Sequence, residues 1–239
     1  MHKRFAQITS ILLFFFAACK ENSKKQTIQE KTKDSLKIET SANRPIVKKM
    51  EEKKKDTFLL TEDNAIAFFF NYQKTLKENR VKLTTSMGSF TVQLYDNVPY
   101  HKANFIYLAK KGYFDSTQFH RVVKNFIIQG GNSDDKKTPK KRRKIGRYLL
   151  PPDAKKGHKH HRGTISMPSS ERDNPHKLAS PYEFFVVVTK PGSYHLDGNY
   201  TPFGQVIEGM DVVDAINNVP VGDGDWPWQN VYIIKAEAL

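Results

Sequence analysis

Residues 118–132, Gln-Phe-His-Arg-Val-Val-Lys-Asn-Phe-Ile-Ile-Gln-Gly-Gly-Asn, restrict the fold more than any other stretch of this chain. Two short apolar runs flank a polar Lys-Asn step and stop at a glycine pair, the pattern of two strands joined by a turn. Side chains along a strand alternate faces with period 2. That period holds Arg121, Phe126 and Gln129 on adjacent strands as a permanent cation, an aromatic and an amide. A fixed donor beside an apolar slot is the outline of a pocket.

The residues around it repeat the pattern. Val81, Leu83 and Thr85 alternate, Met87-Gly88 makes a turn, and Phe90, Val92 and Leu94 alternate again, predicting a β-hairpin. Pro99 suits the first position of a helix, where its missing N–H costs nothing, and that helix should stop at Gly112. Further strands are expected at Thr164–Met167, Tyr182–Val188, Phe203–Ile207 and Val231–Ala236. A second helix follows Gly209, with Met210, Val213 and Ile216 on one side. Many short strands with two helices predict a mainly β, antiparallel barrel closed at its ends by helices. Residues 81–239 are one domain's length.

The N-terminal third reads differently. His2, Lys3 and Arg4 precede an apolar run, Ile11 to Phe16, and Ala17-Ala18 lead into Cys19, the only cysteine. That is the layout of a secretory signal at 1–18, too short for a span of roughly 20 apolar residues. A lone Cys at that junction resembles a bacterial lipobox, so Cys19 is expected to carry lipid and anchor the protein to a membrane of the cell envelope, periplasmic or outer-membrane. Residues 19–56 are rich in Lys, Glu, Thr and Ser and almost free of aromatics. Such a segment cannot offset its ordering entropy. It reads as a disordered tether with a coil span of about 30 Å. Residues 57–80 should add a helix packed on the domain, capped by Thr61, with Glu62 and Asp63 in its first turn and Ile66, Phe69, Phe70, Gln73 and Leu76 along one stripe.

The 118–132 segment resembles the core motif of the cyclophilin-type peptidyl-prolyl cis/trans isomerases, FHR-(V/I)-(V/I)-x-x-F-(M/I)-x-Q-G-G-(D/N). Gly88–Tyr95, Val98–Phe105, Gly112-Tyr113-Phe114-Asp115, Arg162–Met167, Phe184-Phe185-Val186, His195-Leu196-Asp197-Gly198 and Phe203–Val206 are similar to further family motifs in the same order. The resemblance covers nearly all of 81–239 and implies a closed eight-stranded antiparallel barrel capped by two helices, with 57–80 as an extra N-terminal helix. It implies isomerisation of X-Pro bonds in exported polypeptides by a monomer, with no cofactor and no metal. By position Arg121 matches the catalytic arginine. Phe126, Ile127, Phe185 and Leu196 match the walls of the proline pocket, and Gln129 matches the glutamine that bonds substrate backbone and steadies the arginine.

Five positions depart from the family pattern. Glu183 replaces a common Gln, which sets a carboxylate near Arg121. His195 stands where Trp is frequent, and Tyr200 where His is common. Pro168-Ser169 replace Ala-Asn or Ala-Arg on a strand that lends backbone hydrogen bonds to the peptide, and Pro168 has no N–H to give. A second reading is therefore a proline-peptide binding module or chaperone that turns over poorly.

The formal charge of +14 draws much from Lys136, Lys137, Lys140, Lys141, Arg142, Arg143 and Lys144. In an exported chain a solvated loop is expected there, ahead of attraction to anionic lipid or polysaccharide, with nucleic acid last. His158, His160 and His161 lie among lysines that would repel a cation, so a titratable surface loop is expected rather than a metal site. Asp223-Gly224-Asp225 reads as a turn, without calcium-loop spacing.

Overall fold

The computed structural model describes residues 58–169, 173 and 175–239. The readings placed on the signal, Cys19 and the tether lie outside the described residues. Eight strands close a barrel: β1 (Arg80–Thr85), β2 (Gly88–Leu94), β3 (Thr117–Val123), β4 (Ile127–Asn132), β5 (Thr164–Ser166), β6 (Phe184–Val187), β7 (Pro202–Glu208) and β8 (Tyr232–Ala238). Around the barrel the order is β1-β2-β7-β5-β6-β4-β3-β8, and every neighbouring pair is antiparallel.

Helix α2 (Pro99–Lys110) begins at the expected proline and packs on β7 and β8. Helix α4 (Met210–Asn217) packs on β2, β3 and β4. The interior is an aromatic cluster in which Phe105, Phe114, Phe119, Phe184 and Phe203 are fully or almost fully buried. Phe105 and Phe114 each meet Phe184 edge-on, at 5.3 Å and 5.5 Å between ring centres. Such edge-to-face pairs add about 0.5–1.5 kcal/mol beyond area burial.

The helix before the barrel starts later than expected. Helix α1 spans Ala65–Tyr72, so Thr61, Glu62 and Asp63 precede it. The Thr61 N–H is taken instead by Asn64 Oδ1 at 2.8 Å, while Asn64 Nδ2 donates to the Leu59 carbonyl at 3.0 Å. The buried stripe is also rotated. Ala65 and Phe69 enter the core, joined by Phe68, Tyr72 and Leu76, whereas Ile66 and Phe70 face outward. Phe68, Phe69 and Tyr72 converge edge-on on Tyr107 of α2 at 5.2–5.9 Å. That aromatic face selects the phase of the stripe.

The basic run is a helix, not a solvated loop. Helix α3 (Lys137–Ile145) is started by Asp135, whose Oδ1 accepts the N–H groups of Lys137 and Thr138, each at 2.8 Å. Thr138 and Ile145, seven residues apart, are buried on its inner side. Lys141 turns inward and donates to the carbonyls of Gly112, Tyr113 and Asp115. Lys136, Lys137, Lys140, Arg143 and Lys144 stay exposed. Residue 60 bridges to the end of this helix, with Leu60 N–H donating to Ile145 and Arg147 N–H to Leu60. The approach is so close at Gly146 (φ +137°) that a Cβ there would lie 1.9 Å from the Leu60 carbonyl oxygen.

His101 on α2 is completely buried 6.0 Å from the ring of Phe203, and neither ring nitrogen has a protein partner among the described residues. Burial disfavours its cation and pushes its pKa from 6.5 down to about 3. The unfolded chain can take up this proton below its ordinary pKa while the folded chain cannot, so stability should fall as pH drops from 6.5 towards 3. Urea unfolding at about pH 7 and about pH 4.5 should show a smaller loss in His101→Leu than in the wild type.

Candidate active site

The β3–β4 hairpin carries the site, and an irregularity in β3 aims it. Phe119 pairs with Gly130, and Arg121 with Gln129, so His120 is a surplus residue in a β-bulge. Strict alternation would have kept Arg121 on the same side as Phe119. The bulge instead leaves Phe119 and Val122 both in the barrel core, and His120 and Arg121 both turned outward. Gly130 fits here because a Cβ would sit 3.1 Å from the Phe119 ring and 3.2 Å from that of Phe184.

On β4 and β6 the period-2 reading holds. Ile128, Phe184 and Val186 enter the core, while Ile127, Phe185 and Val187 form a separate cluster on the outer face. Leu196 belongs to this outer cluster, and Val123, Phe126 and Tyr200 pack against it. The ladder then sets one row across four strands: Arg121 of β3 opposite Gln129 of β4, Gln129 opposite Phe185 of β6, and Phe185 opposite Ser166 of β5. A cation, an amide and an apolar wall are thereby fixed side by side.

Phe126 stands on the turn rather than on a strand. Asn125 takes a left-handed φ of +59°, and α4 holds the turn through the buried side chain of Asn217. Asn217 Oδ1 accepts the Asn125 N–H at 2.8 Å, and its Nδ2 donates to the Val123 carbonyl at 2.9 Å and that of Ile127 at 3.2 Å. The ring of His195 stacks on Phe126 at 5.5 Å, and Tyr200 meets Phe185 edge-on at 5.6 Å. The residues expected to line the pocket are therefore brought together, with His195 and Tyr200 at its rim.

Glu183 does not reach Arg121. Its Oε2 accepts from Gln129 Nε2 at 3.0 Å and lies 3.4 Å from His120 Nε2, while Oε1 is 3.3 Å from Arg142 Nη2. Burial pushes this carboxyl up, but His120, Arg142 and Gln129 together outweigh it and hold the pKa below the usual carboxylate range. Its ionised form therefore adds stability above the ordinary carboxylate pKa, and that contribution is lost as pH falls through its depressed value. Gln129 likewise bonds Glu183 and His120, not Arg121.

The carboxylate that does meet Arg121 is Asp225, with Oδ2 3.1 Å from Arg121 Nη2 and both side chains about 40 % exposed (41 % and 39 %). It comes from the turn read only as a turn. The segment folds back on itself through Gly222 N–H to Trp226 and Trp228 N–H to Pro220, and Asp225 adopts a left-handed φ of +63°. Trp226, next in sequence, lies against His120 with ring centres 5.9 Å apart. Only its Asp-Gly-Asp composition was available from the sequence, and nothing local in that composition names a partner some hundred residues upstream.

The histidine segment is not one surface loop either. His158 stacks on Tyr95 at 3.7 Å, but His160 is fully buried. Its Nδ1 lies 2.7 Å from Asp197 Oδ1 and its Nε2 2.9 Å from Ser166 Oγ. The order Asp-His-Ser imitates a hydrolase triad, yet Ser166 is fully buried and its hydroxyl donates to the Thr201 carbonyl at 3.0 Å. A substrate cannot reach that oxygen. The trio ties the loop bearing Leu196 and Tyr200 to β5, with His160 lying parallel to Phe185 at 6.1 Å. Among the described residues no group of three His, Cys, Asp or Glu side chains could hold a metal ion. Beyond β5, the Pro168 carbonyl accepts from the Ser180 N–H at 2.8 Å, so that residue has no N–H and an already engaged oxygen.

Residues 80–238 match the family model described as cyclophilin type peptidyl-prolyl cis-trans isomerase. The chain is 36% identical over 166 residues to peptidyl-prolyl cis-trans isomerase-like 2 of Rhizopus delemar, covering 69% of this chain and 30% of that one. It is 37% identical over 161 residues to peptidyl-prolyl cis-trans isomerase-like 1 of Neurospora crassa, covering 66% and 93%. The fold matches a cyclophilin type peptidyl-prolyl cis-trans isomerase of Cryptosporidium parvum, solved in the presence of the dipeptide Ala-Pro, with TM-score 0.56, 26% identity, and 67% and 98% of the two chains covered. With the barrel and the Arg121–Gln129–Phe185 row already in place, these matches settle the family: the chain belongs to the cyclophilin-type peptidyl-prolyl cis-trans isomerases.

Proposed function

We propose that the protein isomerises X-Pro bonds of exported polypeptides, held to a membrane of a bacterial cell envelope by lipid at Cys19, with Arg121 as its catalytic residue. An amide resists rotation because resonance gives its C–N bond partial double-bond character, with a barrier of about 18–20 kcal/mol. Twisting the X-Pro bond localises a lone pair on the proline nitrogen. A donor aimed there favours the twisted state over both planar ones, which is what acceleration requires. Rotation breaks no covalent bond, so the reaction asks for no nucleophile, metal or cofactor.

The observation that supports this most is the row in which Arg121 stands one strand from Gln129 and two from Phe185. Phe126, Ile127, Phe185 and Leu196 offer the proline ring an apolar seat, with Gln129 placed for the substrate backbone. The guanidinium meets Asp225 through one nitrogen, and arginine carries five N–H donors, so others are left for substrate. A monomer acting on unfolded or flexible segments fits a site carried on the outer face of a barrel.

The contact with Asp225 favours a second reading, a proline-peptide binding module whose arginine is engaged. Asp225→Asn separates the two. An exposed ion pair is worth about 0–1 kcal/mol, so freeing Arg121 should raise kcat/KM by at most about fivefold, and less in high salt. Isomerase activity present only in the variant would establish the binding module. Activity already present in the wild type, measured on an Ala-Pro peptide, supports the enzyme.

A further inference from the structure

The basic helix and the candidate site meet at one side chain. Arg142 leaves α3 on its inner side, and its Nε donates to Tyr113 Oη at 2.8 Å. Its Nη2 lies 3.3 Å from Glu183 Oε1 and 3.4 Å from the Gly131 carbonyl oxygen. The opposite oxygen of Glu183 takes the Gln129 amide at 3.0 Å. A chain of contacts thus runs from α3 through Glu183 to Gln129, the residue directly opposite Arg121 in the ladder.

We propose that Arg142 is a positioning residue of the active site, holding Glu183 as the anion that orients the Gln129 amide. This rests on the isomerase reading above. Glu183 stands where the family commonly has a neutral Gln, so this chain has placed a charge in a site whose side chain is only 17% exposed. A charge there needs a cation, because an unpaired buried carboxylate is strongly disfavoured. The groups facing it are His120 from β3, Gln129 from β4 and Arg142 from α3, with Tyr113 Oη behind the arginine. Arg142 alone among them is charged at every pH of interest. The carboxylate oxygen can then only accept, which turns the Gln129 NH2 towards it and leaves the Gln129 carbonyl oxygen free for substrate N–H or for Arg121. A protonated Glu183 would offer an O–H instead and allow the amide to flip. On this account α3 belongs to the site: its inner face positions Gln129, and its surface charge is Lys137, Lys140, Arg143 and Lys144.

The test compares full-length wild type, Arg142→Met, Glu183→Gln and the double variant. In Arg142→Met, kcat/KM should drop by roughly three- to tenfold at neutral pH, with a steeper fall towards acid as Glu183 takes up a proton at higher pH than in the wild type. Combining it with Glu183→Gln should restore kcat/KM to within about twofold of the Glu183→Gln single variant, since no charge then needs a partner. His120 touches Glu183, so the pH profiles are read together with the Glu183 titration itself. A double variant impaired well beyond twofold relative to Glu183→Gln, or Arg142→Met with the wild-type pH profile, would overturn the proposal and leave Arg142 a structural partner of Tyr113 and Gly131. The Glu183 titration, followed by carboxyl 13C NMR in wild type and Arg142→Met, reads the same coupling without any turnover. An unchanged Glu183 titration refutes the proposal whether or not the protein is an isomerase, and an upward shift with no wild-type turnover would count against the isomerase reading alone.

Discussion

Arg121→Ala should lower kcat/KM for prolyl isomerisation by at least roughly ten- to a hundredfold, because it removes a charge-assisted hydrogen bond of about 1.5–3 kcal/mol from the twisted state. The loss should fall mainly on kcat, since the apolar walls that hold the proline ring are untouched. Folding should change little: the side chain is 41% exposed, and its ion-pair partner among the described residues is the half-exposed Asp225. Arg121→Lys is a sharper version of the same test. It keeps the charge but replaces a planar fork with a point donor, so most of the loss should remain. Protease-free peptide assays on the two variants check both statements.

Phe69→Ala should carry the largest cost in stability, about 3–5 kcal/mol. Phe69 is fully buried where α1 meets the domain, against Tyr107 of α2 at 5.9 Å and Tyr148 at 5.6 Å between ring centres. Truncation would open a cavity between three elements rather than merely loosen a terminal helix. Urea titration should show the midpoint moving down with an unchanged slope, as expected when one cooperative unit is weakened. A loss below about 1 kcal/mol would show that α1 is an appendage to the barrel and not a part of its core. At temperatures where the variant stays folded its isomerase activity should match the wild type, because α1 lies apart from the Arg121–Phe185 row.

Much of this arrangement was legible in the residues themselves. The β1–β2 hairpin, α2 from Pro99 and α4 after Gly209 follow from alternation, proline placement and glycine stops, which are local signals. The seats of Ile127, Gln129 and Phe185 follow from period 2 along β4 and β6, and Leu196 joins them through the motif match. What escaped was set by partners distant in sequence. The bulge at His120 adds one residue to a ladder, and no periodicity can announce a single surplus residue. The run Ala65–Phe70 is apolar throughout, so its phase was open until Tyr107 selected the Phe68, Phe69 and Tyr72 side. Helix α3 hid among seven basic residues because Lys141 and Arg142 are turned inward by carbonyls near 112–115 and by Glu183. The pairings of Glu183 with Arg142, and of Arg121 with Asp225, are likewise long-range. Charge at those positions could be read from the chain, but its partners could not.

One measurement bears most directly on the central claim. Exchange NMR on an Ala-Pro peptide with a small molar fraction of full-length protein reads cis–trans interconversion itself, free of coupled proteolysis. The expected result is exchange faster than the uncatalysed tens to hundreds of seconds, scaling with enzyme concentration and lost in Arg121→Ala. Peptide binding without accelerated exchange, or equal exchange in wild type and Arg121→Ala, would contradict it.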